Sequence, residues 1–177
     1  VDDPAVQFST GGRVFNFTIP AGTTTGPTAM LQTGTVEGTI SVATQLMAGG
    51  TNVTPADLST PAAITVSPSA PTITGVTFTD VNGLLTVVVT GFSNTREMTE
   101  ANFIFTGPGA VTLANAGVTV PAANLFGTWY TSTASADFGS MFLYTQTFQL
   151  SDTATDITGV AVTLTNTVGI SASVSSQ

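Results

Sequence analysis

The sequence predicts an all-β protein: two immunoglobulin-like β-sandwiches in tandem, the first incomplete and complemented by a strand from another chain. Three observations carry this expectation. Apolar residues recur at every second position in one segment after another, helical periodicity is nearly absent, and turn residues punctuate the chain at roughly the 8–12-residue spacing of sandwiches. The first sandwich is assigned to residues 1–69 and the second to residues 70–177.

The elements follow from that period. In Arg13-Val14-Phe15-Asn16-Phe17-Thr18-Ile19 the large apolar side chains fall on one face of a strand. Val36 to Val42 repeats the pattern through Val36, Ile40 and Val42, Gly49-Gly50 reads as a hairpin turn into Thr51–Thr54, and Ile64-Thr65-Val66 closes the half. That is about five strands, where a complete sandwich of this type takes about seven. Ser67 to Thr72, with Pro68 and Pro71, reads as an extended linker. Beyond it, Ile73–Thr79 and Leu84–Thr90 flank Asp80-Val81-Asn82-Gly83 as a hairpin. Strands are expected again over Asn102–Thr106, Val111–Val120, Phe142–Leu150, Val160–Thr165 and Ile170–Val174. Thr95–Glu100 and Asn124–Phe138, around Trp129, break the alternation and read as helical turns or ordered loops.

Composition narrows the function. The chain has 177 residues, 42% of them apolar, yet only 7% are charged, far below the usual quarter. About one residue in five is Thr, so hydroxyls rather than charges hydrate the surface. Eleven Phe and abundant Val argue against disorder, which is poor in aromatic and β-branched residues. There is no Lys, His or Cys; Arg13 and Arg96 are the only cations against ten carboxylates, for a net charge of −8. Nucleic-acid binding needs several neutralised phosphates and is excluded, as is attraction to an anionic membrane. No apolar run reaches the length of about 20 residues that spans a bilayer. Disulfides and thiolate metal sites are absent, and so are crosslinks that need Lys. Thr-rich, charge-poor, Lys-free chemistry points to an extracellular or cell-surface location. A chain opening on Val1 rather than Met is read as processed or as a fragment.

Several segments carry a resemblance. They are Asp2-Asp3-Pro4-Ala5-Val6-Gln7-Phe8 with Gly11-Gly12-Arg13, and Phe17-Thr18-Ile19-Pro20-Ala21-Gly22. Leu31-Gln32-Thr33-Gly34-Thr35-Val36 with Gly38-Thr39-Ile40, Val89-Thr90-Gly91-Phe92-Ser93 with Thr95-Arg96-Glu97, Trp129-Tyr130, and Phe142-Leu143-Tyr144-Thr145-Gln146 complete the set. Together they resemble the immunoglobulin-like modules of long, repetitive surface proteins of soil bacteria. The resemblance implies no enzymatic role and supplies no catalytic residues. In that family further strands usually precede the segment matching Val1, which agrees with the low strand number of the first half.

Candidate chemistry is thin. General acid–base and nucleophilic catalysis lean on His, Lys or Cys, none of which occurs. Glu97 and Glu100, three apart, are the nearest carboxylate pair; the plainer reading is that Glu97 pairs with Arg96 or caps a turn. Calcium needs six to eight oxygens; Asp80 and Asn82 are weak candidates, with Asp2-Asp3 or Asp152 and Asp156 as further donors, but Asp-x-Asn-Gly is also ordinary hairpin chemistry. Trp129, Tyr130 and Tyr144 join a ring to a polar group and are weak candidates for stacking on a sugar; the competing reading anchors them in the sandwich. Asn16-Phe17-Thr18 and Asn52-Val53-Thr54 fit the glycosylation pattern, which a Thr-rich chain meets by chance. No cofactor is expected. The expected function is a non-enzymatic structural module: a stalk, an adhesion segment or a self-assembling filament subunit. Its expected partners are further copies, another β-sandwich chain or a polysaccharide. A carbohydrate-binding module using exposed aromatics is the alternative.

Overall fold

A computed structural model describes residues 3–109, 116–150 and 157–176. The protein is all-β, with antiparallel sheets throughout and one α-helix among the described residues. The strands are β1 (Val6–Phe8), β2 (Leu31–Thr33), β3 (Gly38–Val42), β4 (Met47–Ala48), β5 (Thr51–Asn52) and β6 (Ala62–Val66) in the first half. The second half holds β7 (Thr72–Val81), β8 (Leu84–Phe92), β9 (Glu100–Thr106), β10 (Gly117–Pro121), β11 (Met141–Gln149), β12 (Gly159–Thr165) and β13 (Val174–Ser175), with helix α1 (Ala123–Thr131) between β10 and β11.

The second half is a sandwich. One sheet runs β11-β8-β7 and the other β10-β9-β12-β13. Alternation along β8 and β9 sends Leu85, Val87, Val89, Ala101, Phe103 and Phe105 inward. Phe103 is fully buried and meets the Phe148 ring edge-on at 5.0 Å; Phe105 meets the same ring at 5.1 Å. β7 and β8 form the expected hairpin, with Asn82 and Gly83 at positive φ of 55° and 78°. The Asp80 carboxylate accepts a hydrogen bond from Gly83 N–H at 3.0 Å. Asp80 and Asn82 therefore serve the turn.

Helix α1 passes from one sheet to the other. Phe126 and Tyr130, four residues apart, share its buried face. Phe126 packs edge-on against Phe142 and Tyr144 at 5.1 and 5.4 Å. The segment read as ordered but irregular from 124 to 138 is thus α1 followed by a 3₁₀ turn over Ala134–Phe138.

The first half holds no closed pair of sheets among the described residues. Its strands form three separate two-stranded ribbons, β1-β2, β3-β6 and β4-β5, and among residues 3–70 only Asp3 and Val36 are buried. The Gly49-Gly50 hairpin is present, with both glycines at positive φ. The strand expected over Arg13–Ile19 is a correction: the segment forms no strand among the described residues, and Phe17 is 38% exposed. Phe15 and Phe17 stack at 6.1 Å and Phe15 meets Phe8 at 5.8 Å, so the alternation does gather rings, without a second layer to cover them. Ile170–Val174 is a second correction, since only Val174 of that span enters a strand and Ile170 forms an isolated bridge to Thr165. Of the expected strand over Val111–Val120, residues 111–115 lie outside the described residues.

The linker is fixed in place. Asn94 donates to Ser67 O at 2.8 Å and accepts from Ser69 N–H at 2.9 Å, while Asn166 donates to Ser69 O at 2.8 Å. Both Asn residues are buried, where an unsatisfied amide would be costly, and each finds a partner in the linker backbone.

Candidate interaction surface

The first half opens on a groove of about 690 Å³. Its walls include Val6–Phe8, Arg13–Phe17 and the whole of β3. Neighbouring side chains of a strand point to opposite faces. A groove that touches Gly38, Thr39, Ile40, Ser41 and Val42 in succession must therefore run along the backbone edge of β3. That edge has no ladder partner among the described residues, because β3 pairs only with β6. Residues 13–17 flank the same groove, again in succession and again without a ladder. The groove thus lies between residues 14–17 and the open edge of β3, and a further strand would satisfy that edge.

Its base is held by one acid. Asp3 accepts hydrogen bonds from Ala5 N–H at 2.9 Å, Thr35 N–H at 2.8 Å and Val36 N–H at 3.0 Å. Burial pushes its carboxyl up, but the bonds from Thr35, Ala5 and Val36 outweigh burial and hold it below the ordinary value. A Cβ at Gly34 would lie 2.5 Å from one Asp3 oxygen, and one at Gly139 would lie 3.0 Å from the other. Both glycines have positive φ, 70° and 58°. They leave the space in which a residue of the first half meets the loop before β11. Arg13 donates to Asp3 O at 2.8 Å. Asp3 is therefore a structural acceptor; of the other acids weighed as cation donors, Asp2, Asp152 and Asp156 lie outside the described residues.

Arg96 binds the same loop from the other side. It sits at φ 54° in the turn after β8, and its guanidinium donates to Gly139 O, to Tyr130 O at 2.5 Å and to Ser135 Oγ at 2.8 Å. It also lies 4.9 Å from the Tyr130 ring centroid. The expected pairing of Arg96 with Glu97 is replaced by this set; the Glu97 carboxylate accepts instead from Thr167 N–H and Thr167 Oγ–H. Glu100 is exposed at the start of β9.

The three aromatics weighed for sugar stacking part company. Tyr130 is 6% exposed and Tyr144 3%. Tyr130 donates its hydroxyl to Ser140 O and Tyr144 to Gln146 Oε1. Burial raises both phenols, that of Tyr144 to about 12. Neither ring offers a face to solvent. Trp129 alone stays half-buried, donating to Met141 O at 3.2 Å and lying 5.8 Å from Phe138. Asn16 and Asn52 are exposed, and Asn52 Oδ1 accepts from Thr54 N–H and Thr54 Oγ–H.

A second feature escaped the sequence reading. Leu125, Trp129 and Phe142–Thr145 line a smaller depression of about 250 Å³. The run of four consecutive β11 residues again marks a strand edge, and among the described residues β11 pairs only with β8. Around it Leu125, Phe138, Met141 and Leu143 are each more than half exposed. The signal available was the odd set of the β11 alternation, Met141 and Leu143, which period two places opposite the buried Phe142 and Tyr144. Comparison with family models, with curated proteins and with solved structures finds no match to this chain.

Proposed function

We propose that this chain is a non-catalytic structural module of an extracellular bacterial surface protein, made of immunoglobulin-like sandwiches and working as a stalk, an adhesion segment or a self-assembling filament subunit. The single observation behind this reading is the half-built first half: three ribbons and one groove, bordered by a β3 edge that has no ladder partner among the described residues and that a strand from another polypeptide would satisfy. The seven strands of the second half, three against four, support the immunoglobulin-like assignment. The non-catalytic part draws on the absence of His, Lys and Cys and on structural employment of Asp3, Asp80 and Glu97. Sugar stacking would rest on Trp129 and its neighbour Phe138, since Tyr130 and Tyr144 are core residues. Sedimentation velocity over a concentration series, with electron microscopy of the most concentrated sample, tests the reading. The expected result is growth of assemblies with concentration; a monomer throughout would count against it.

A further inference from the structure

We propose that the groove of the first half receives the β11 edge of a second copy, so that copies join head to tail. This inference rests on the self-assembly reading above and specifies its contact.

Two features have no strand partner among the described residues: the edge of β3 along the groove, and the β11 edge with the exposed Met141 and Leu143 beside it. β11 is a nine-residue strand in unbroken register with β8. It holds no Pro, no bulge and no charge, so it lacks three of the devices that keep edge strands from pairing; α1 lies beside the first half of the strand through Leu125 and Trp129. Trp129 already bonds Met141 O, which places the available stretch from Phe142 onward.

Size and charge both fit. The groove follows all five residues of β3, a length along which a strand can pair and more than a small ligand would need. Its ionisable residues are Asp3, Arg13 and Glu37. Asp3 is engaged by three N–H groups and Arg13 bonds Asp3 O. An incoming strand with a carboxylate would face Glu37; β11 brings none. An uncharged, Lys-free edge is the kind of strand this groove accepts without stranding a charge. Pairing β3 with β11 of the next copy would extend the β3-β6 ribbon into the three-stranded sheet of that copy and would cover Ile40 and Val42 with its side chains. Because the two surfaces differ, the contact is heterologous and builds an open series rather than a closed dimer.

Two positions separate the partners, Leu143 exposed and Ile40 half-buried. Leu143→Lys charges the edge but leaves the groove; Ile40→Lys charges the groove but leaves the edge. Each variant is first shown to fold by near-ultraviolet circular dichroism, and each is then sedimented alone and in equimolar mixture. The expected result is loss of the open series in either variant alone, and a single heterodimer in the mixture, formed by the intact groove of one and the intact edge of the other. With no native Cys, Ser41→Cys and Thr145→Cys chains should form a mixed disulfide when combined and little homodimer when separate. Association untouched by Leu143→Lys, or Ser41→Cys homodimers in place of the mixed species, would overturn the head-to-tail contact while leaving self-assembly standing. A wild-type chain that stays monomeric would overturn both.

Discussion

At the scale of the residue, Asp3 is the most constrained side chain of the first half. Its carboxylate meets three main-chain donors, two of them 32 and 33 residues away in sequence, and it is only 5% exposed. Asn at this position keeps the shape but turns an N–H₂ toward at least one of those donors. Asp3→Asn should cost about 1–3 kcal/mol, the usual penalty for an unsatisfied buried group or a lost charged hydrogen bond. The pH dependence has a fixed sign. The folded carboxyl lies below its unfolded value of 3.8, so its stabilisation is present above that value and is lost as pH falls through the folded one. Wild type should lose stability below about pH 4 more steeply than Asp3→Asn; parallel acid-unfolding curves would show that the carboxylate contributes nothing special. None of this was legible in the sequence, where Asp2-Asp3 looked like a cation donor, because the partners that decide the role of Asp3 are backbone groups remote in sequence. Arg96 misled for the same reason. Its neighbour Glu97 invited a pair, while its actual acceptors, Tyr130 O, Ser135 Oγ and Gly139 O, lie 34 to 43 residues on.

At the scale of the element, alternation tells which face of a strand is apolar but not what covers it. In β8 and β9 the period and the covering sheet agree, and Val87, Val89 and Phe103 are fully buried as the pattern implies. Arg13–Ile19 has equally clean alternation, yet Phe15 and Phe17 face a groove rather than a second sheet. The two segments should respond differently to truncation. Phe103→Ala should cost about 3–5 kcal/mol, the range for emptying a packed aromatic site. Phe17→Ala, at a site 38% exposed, should change the melting temperature of a dilute sample little and instead weaken association. Thermal melts at low and high concentration check this. Equal losses for the two variants in dilute solution would mean that its own chain holds Phe17 as firmly as Phe103, beyond the stacking on Phe15. The turns were the most legible elements: Asn82-Gly83 and Gly49-Gly50 supply the positive φ their hairpins need, and no distant residue has to cooperate.

At the scale of the whole molecule, the halves differ in what holds them. The second has a continuous core from Ile73 to Leu164, closed at one side by α1. The first has ribbons tied to it by the Asn94 and Asn166 bonds to the linker, by the Glu37 N–H bond to Asn94 O at 3.0 Å, and by Asp3 against the Gly139 loop. Local opening follows local burial, so amide exchange in dilute solution should be fast over β1 to β6 and slow over β8, β9 and β12. Assembly adds a specific change. When the groove is filled, amides of β3 facing it gain partners, whereas those of β8 and β9 already have theirs. Raising the concentration should therefore slow exchange in the first half by an order of magnitude or more, the size of effect a bound partner has through mass action, and leave β8 and β9 unchanged. The β11 amides from Phe142 onward that point away from β8 should slow in step with β3, since the two edges would be satisfied by the same event. Uniformly slow exchange of both halves in a monomer would show that the first half is stable without help, and slowing of β3 without β11 would place some other strand in the groove.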